Sequence, residues 1–142
     1  MIAVDTNILV YAHREEAPEH ARALAALTEL AEGQAAWALP VFVLAEFLRV
    51  VTHPNMTSPT PTPEAVAKLD RLLDSPSLRL LVPGSRYWEI LKDVSLEAVV
   101  RGNLFIDAQI AAVCLEHGAT TLLTEDRDFR RFEGITVRRL NS

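Results

Sequence analysis

The sequence predicts an α/β domain in which a short parallel sheet is covered by helices on both faces. Three observations carry this. Short apolar runs alternate with longer helical segments along the chain, and that alternation builds βαβ units and hence a parallel sheet. Hydrophobic residues make up 49% of the 142 residues, enough for a real core and too many for disorder. Neither an internal repeat nor a second apolar core is evident, so residues 1–142 read as one domain.

Each element has a local reason. Residues 2–5 read as a short buried strand, and residues 7–13 and 18–32 as helices, the second ending at Gly33. Ala36-Trp37-Ala38-Leu39 reads as a strand that Pro40 should stop, since proline has no N–H for a ladder. Residues 41–52 form an apolar helix. Residues 54–61 carry three prolines and read as a loop, placed by its position beside a possible substrate groove. A helix follows to about residue 74, with Thr62 as its N-cap and Pro63 in its first turn. Residues 78–82 are a third strand. A helix over 85–100 should close at Gly102, and one capped by Asn103 should run to about 117 and end at Gly118. Residues 120–123 form a fourth strand, 126–132 a turn with a short helix, and 135–138 a last strand.

Composition narrows the function classes. The net charge of −5 argues against a general nucleic-acid binder, yet an acidic metal site can coexist with a local basic rim. Arg127, Arg130, Arg131, Arg138 and Arg139 offer such a rim. The single cysteine, Cys114, cannot form an internal disulfide and sits at an apolar helical position, as a small core residue would. No stretch approaches the ~20 apolar residues of a membrane span, and the N-terminus lacks the basic region of a signal peptide. These features suit the cytoplasm and no membrane partner.

Four acids resist explanation by packing. Asp5 closes the first apolar run, Glu46 interrupts the apolar helix 41–52, Asp107 sits in an apolar helix, and Asp126 follows the fourth strand. An acid set against a core costs free energy unless paired, hydrogen-bonded or metal-bound. In a parallel α/β sheet the functional crevice lies at the carboxyl ends of the strands. Asp5 and Asp126 should therefore share one rim, toward which the two helix acids need only project. The bland readings are a dipole-matching acid for Asp107, an i,i+3 pair with Arg49 for Glu46, and turn or cap roles for Asp5, Asp126 and Asp128. Crowded carboxylates repel, and a hard divalent cation relieves them. Oxygen-only ligands point to Mg²⁺, with Mn²⁺ also fitting, and such a site suits phosphodiester hydrolysis by an activated water.

The motifs then become recognisable. Val4-Asp5-Thr6-Asn7-Ile8-Leu9-Val10-Tyr11 resembles the opening motif of PIN-domain ribonucleases, and most of all of VapC-type toxins from type II toxin–antitoxin modules. The segments from Glu46 to Pro54, from Gly102 to Ala112 (continued by Glu116-His117-Gly118), and from Thr124 to Phe129 resemble the remaining three motifs, in order, over essentially the whole chain. The resemblance implies a three-layer α/β/α PIN-like fold and a metal-dependent endoribonuclease. It implies Asp5 and Asp107 as the main Mg²⁺ ligands, with Glu46 and Asp126 completing the acidic pocket directly or through water. Asn7, Thr124 and Asp128 would be supporting polar groups, Asp128 holding the turn beside Asp126. It further implies an RNA substrate, a homodimer, and a cognate antitoxin lying across the groove, with Phe42, Phe47 and Leu48 of helix 41–52 as candidate apolar contacts. The alternatives are a catalytically inactive PIN-like scaffold that binds a protein partner, a phosphatase with Asp5 as nucleophile, and a phospho-accepting receiver. Asn7 leaves the phosphatase without its general acid. The only lysines, Lys68 and Lys92, do not follow a strand as a receiver needs.

Overall fold

The computed structural model describes residues 1–141. Five parallel strands, β1 (Ile2–Val4), β2 (Trp37–Pro40), β3 (Leu78–Leu81), β4 (Thr121–Leu123) and β5 (Thr136–Arg138), form one sheet in the order β3-β2-β1-β4-β5. Six helices flank it: α1 (Thr6–His13), α2 (His20–Glu32), α3 (Phe42–Val51), α4 (Thr62–Leu73), α5 (Tyr87–Glu97) and α6 (Leu104–Glu116). A 3-10 turn spans Arg127–Arg131. Among the helices, α1 lies against α2 and α3, α3 against α4 and more lightly against α6, and α5 against α6.

The strand order positions the site. The chain lays down β1, β2 and β3 in one direction, then returns to place β4 on the other side of β1, with Ile2 opposite Thr121 and Val4 opposite Leu123. The order thus reverses between β1 and β4. At such a switch point the connections leave to opposite sides and open a crevice at the carboxyl ends. The core beneath is filled by Trp37, Phe47, Phe129 and Phe132, all but fully buried. The Trp37 indole N–H donates to Ser77 Oγ at 3.2 Å, which satisfies its one polar atom. Cys114 is buried there too, its thiol pushed up to about 12 by burial and then by the Asp5 charge, as befits a core residue.

Several expectations need correction. Pro40 ends β2 from inside, paired with Leu81. Trp37 and Val41 donate to the β3 side, at 3.1 and 2.8 Å. By two-residue alternation the Pro40 nitrogen faces β1, whose pairing with β2 has already ended at Ala38. Neither Thr62 nor Asn103 makes a side-chain cap bond; Thr62 is already helical behind Pro61. Helix α5 ends at Glu97, short of Gly102, because Val99 takes the left-handed conformation (φ 51°) and the Val100 N–H closes back on the Ser95 carbonyl at 3.0 Å. The proline loop is held against the C-terminal end of α1, just beyond Tyr11. The Arg14 guanidinium donates to the carbonyls of Thr57 and Ser58, and the His13 ring meets Thr60 Oγ1 at 2.9 Å. Phe47 belongs to the core at 1% exposure, so it cannot offer a docking surface. Half of the large exposed apolar side chains among the described residues lie on or next to α5 and α6, at Trp88, Leu96, Val99, Phe105 and Ile106.

Candidate metal centre

Asp5 is the N-cap of α1, at the carboxyl end of β1. Its Oδ1 accepts the Thr6 N–H at 2.7 Å and its Oδ2 accepts the Thr124 hydroxyl at 2.7 Å. Thr124 directly follows β4 and is fully buried. Its oxygen in turn accepts from Asn7 Nδ2 at 3.2 Å and from the Asp126 N–H at 3.0 Å. One hydroxyl has one proton and two lone pairs, and all three are used. Asn7 Oδ1 completes the lattice by accepting the Glu125 N–H at 3.4 Å. The two strand ends are thereby stitched together, and the Asp5 carboxylate is fixed in place.

Replacing Thr124 by the near-isosteric valine removes this hub and leaves three polar groups without their partner. Thr124→Val should lower stability by about 1–3 kcal/mol, read as a shift of the urea midpoint. An unchanged midpoint would mean that the network is not structural.

The acids converge as the rim geometry requires. Burial pushes the Asp5 carboxyl up from its ordinary value; the bonds from Thr124 and Thr6 oppose this, and the Asp126 and Glu46 charges add to it. Asp107, in the first turn of α6, is pushed up to about 7, by burial first and then by the charges of Asp126, Asp5 and Asp128, with Arg131 opposing. Asp5, Glu46 and Asp107 line one cleft of about 320 Å³. Asp107, Asp126 and Asp128 each offer an oxygen within 4.8 Å of the others. Asp107 is the member common to both groupings.

One detail differs from the sequence reading, and one alternative that it held open, the Arg49 pair of Glu46, is present. The turn is held by Asp126, not Asp128: Asp126 Oδ1 accepts the Asp128 N–H at 2.8 Å. Asp128 is left with 62% of its side chain exposed and Arg131 Nη2 at 4.0 Å. Glu46 also has a basic partner, since Arg49 grips it through Nη2–Oε1 at 2.6 Å and Nε–Oε2 at 3.1 Å. That pair is solvent-exposed and correspondingly weak. The sequence reading also passed over Tyr11 and Val50, which line the cleft. Their spacing was a usable signal, because each stands four residues beyond a site candidate (Asn7, Glu46) on the same helix face.

The residues present fit a hard divalent cation. Every donor is oxygen, as Mg²⁺, Mn²⁺ and Ca²⁺ prefer. Two oxygens on one Mg²⁺ stand about 3 Å apart when adjacent and about 4 Å apart when opposite, so a cluster within 4.8 Å needs only small side-chain movements to close. The hydroxyl of Thr6, on the cleft wall, is buried without a hydrogen-bond partner, as a group awaiting a hydrated ion would be. Burial first, and then the neighbouring acids, hold the Asp107 carboxyl up at about 7, and a bound cation would offset both by favouring the charged form.

Residues 2–135 match the family model of the PIN domain. The chain belongs to the PIN-domain family. Ribonuclease VapC43 of Mycobacterium tuberculosis is 40% identical to this PIN protein over 139 residues, covering 97% of this chain and 94% of that one. Ribonuclease VapC48 of the same species is 33% identical, covering 94% and 93%. Among solved structures, VapBC-1 from nontypeable Haemophilus influenzae superposes with a TM-score of 0.73 at 16% identity, covering 100% of both chains. VapC20 of Mycobacterium tuberculosis, described as a sarcin–ricin loop cleaving toxin, gives a TM-score of 0.68 at 20% identity, covering 95% and 98%. The VapC-type motifs seen in the sequence and the five-stranded parallel sheet of this PIN domain thus agree with its relatives. No helix among the described residues is long and apolar enough to cross a membrane.

Proposed function

We propose that this chain is a divalent-cation-dependent endoribonuclease, using Mg²⁺ with Mn²⁺ as a substitute, and that it is the toxin of a type II toxin–antitoxin module. The observation that carries the reading is the meeting of Asp5, Glu46, Asp107 and Asp126 around one switch-point crevice, in a chain whose relatives are named VapC ribonucleases. When bound, the cation supplies an activated water and stabilises the charge that develops on the phosphodiester.

The chain's own residues do the rest. Asp107 and Asp5 are the ligands, and Asp126 with Asp128 closes the other side of the cluster. Thr124 and Asn7 hold Asp5 so that its remaining lone pairs face the cleft. Glu46 completes the acidic pocket from α3 once Arg49 yields its carboxylate. Arg49 and Arg131, at the two flanks of the acids, are placed to accept backbone phosphates of an RNA strand. The partner is a cognate antitoxin, in keeping with solved relatives described as VapBC. The exposed apolar residues of α5 and its neighbourhood, Trp88, Leu96 and Val99, form a natural face for a homodimer.

The test is expression of the chain alone in a bacterial host, with growth and total RNA integrity followed after induction. The unaltered chain should arrest growth and cut RNA. Asp5→Asn should do neither while accumulating to the same level. Equal toxicity and cleavage by the two would refute the site assignment.

A further inference from the structure

The cleft does not end at its acids. Beyond Asn7 and Glu46 it is walled by Val10 and Tyr11 of α1, Val50 of α3, and Ile106 and Ile110 of α6. Asn7 to Tyr11 and Glu46 to Val50 are both steps of four residues, so each helix presents a polar site residue and then, one turn on, an apolar one. The cavity therefore sets an apolar wall beside its acids. At about 320 Å³ it lies at the small end of ligand pockets, roughly 300–1,000 Å³. That suits one nucleoside unit and excludes a duplex.

Tyr11 is fixed on this wall from behind. Its carbonyl accepts from the His20 ring at 2.9 Å. Burial first, and then the charges of Glu19 and Glu125, push its phenol above the ordinary value, so the ring stays neutral. Opposite, Ile106 keeps 45% of its surface exposed although it adjoins Asp107. A site that handles only phosphate has no use for such a wall. The apolar part of RNA is its bases, which stack on aromatic faces when unpaired.

We propose that Val10, Tyr11, Val50 and Ile106 form a subsite for one unpaired base of the RNA strand, beside the phosphodiester held at the acids, with the Tyr11 ring as its stacking face. This rests on the nuclease reading above and adds the determinant that selects an unpaired nucleotide. A base held in a helix cannot enter, because its faces and edges are already engaged. The subsite reads stacking rather than hydrogen-bonding pattern, so purine over pyrimidine is the preference it can enforce.

The experiment uses the full chain and a fluorescein-labelled single-stranded RNA, together with a matched set in which one nucleotide at a time is abasic. Binding is read by anisotropy in Ca²⁺, and cutting is mapped separately in Mn²⁺. The unaltered chain should lose affinity about tenfold or more at one abasic position, next to the mapped cut. Tyr11→Ala should bind intact RNA about 10- to 100-fold more weakly and become indifferent to that abasic position. Tyr11→Phe should keep wild-type affinity. Ile106→Ala, at a half-exposed position that burdens folding little, should show a smaller loss with the same blunted response. All three variants should bind Mn²⁺ as the unaltered chain does. The subsite is overturned if Tyr11→Ala binds RNA normally, if the abasic response survives in both Tyr11→Ala and Ile106→Ala, or if Tyr11→Phe is as weak as Tyr11→Ala. If base-dependent binding is seen without cutting in Mn²⁺, the nuclease reading fails and the subsite stands. Cutting that ignores Tyr11→Ala does the reverse.

Discussion

Asp107→Asn is expected to abolish RNA cleavage while raising the thermal stability of the metal-free protein at pH 8. The two effects have one cause. Asp107 is the acid shared by the cleft and the carboxylate cluster, and its carboxyl is pushed up to about 7 by burial and by Asp126, Asp5 and Asp128. Its folded value lies above its ordinary 3.8, so the folded state binds the proton more tightly than the unfolded state. Stability from this group is complete below about pH 4 and is lost as pH rises through about 7. Asparagine carries no charge at any pH and escapes that loss. Thermal denaturation in EDTA should therefore find the two proteins alike near pH 4 and the variant higher by a few degrees (~3–5 °C) at pH 8. The partly exposed position of Asp107 screens part of the repulsion and keeps the gain modest. Cleavage should fall by at least about a hundredfold, because a cation ligand is lost at the reacting centre. A variant that is less stable than the parent at pH 8 would mean that Asp107 is held by partners rather than strained by neighbours.

Removal of divalent cations with EDTA should stop cleavage, and Mg²⁺ or Mn²⁺ should restore it, with a requirement that steepens below pH 7. Proton and cation compete for the same carboxylate. Above about pH 7 Asp107 is ionised and ready. Below it, each unit of pH should raise the half-saturating cation concentration about tenfold. Cleavage of a labelled RNA across a Mg²⁺ series should show the requirement flat from pH 8 to 9 and climbing from pH 7 to 6. Since the cation binds the folded state alone, Mn²⁺ should also raise the melting temperature, by more at pH 8 than at pH 6. A requirement that ignores pH over this range would remove Asp107 from the ligand set.

The acids were legible in the sequence because each violates the pattern around it, and the parallel alternation alone put Asp5 and Asp126 on one rim. The motif resemblance carried the family. Strand order was not legible: nothing in residues 2–4 or 121–123 says that β1 and β4 are neighbours, and it is this adjacency that lets Thr124 hold Asp5. Helix ends were misread where a backbone choice overrode the residue signal. Val99 adopts a left-handed conformation usually left to glycine, so α5 stops before Gly102. Asp126 and Asp128 were hard to rank because a 3-10 turn lets the first bond the second's N–H while both keep an oxygen near Asp107. The Glu46–Arg49 pair was visible as an i,i+3 spacing, but its two-point grip needs the rotamers. The apolar wall beside the acids was written in two i,i+4 steps and became readable only once α1, α3 and α6 were seen to share a wall.

The central claim is that these acids hold a divalent cation. The most direct test is calorimetric titration of Mn²⁺ into the metal-free protein at pH 6.5, in two buffers of different ionisation enthalpy, for the unaltered chain and for Asp107→Asn. The expected result is saturable binding by the unaltered chain, accompanied by release of a substantial fraction of one proton. The variant should bind much more weakly and release clearly less. Absence of binding, or binding that is equally tight and equally proton-linked in Asp107→Asn, would contradict it and favour a PIN scaffold that only engages a protein partner.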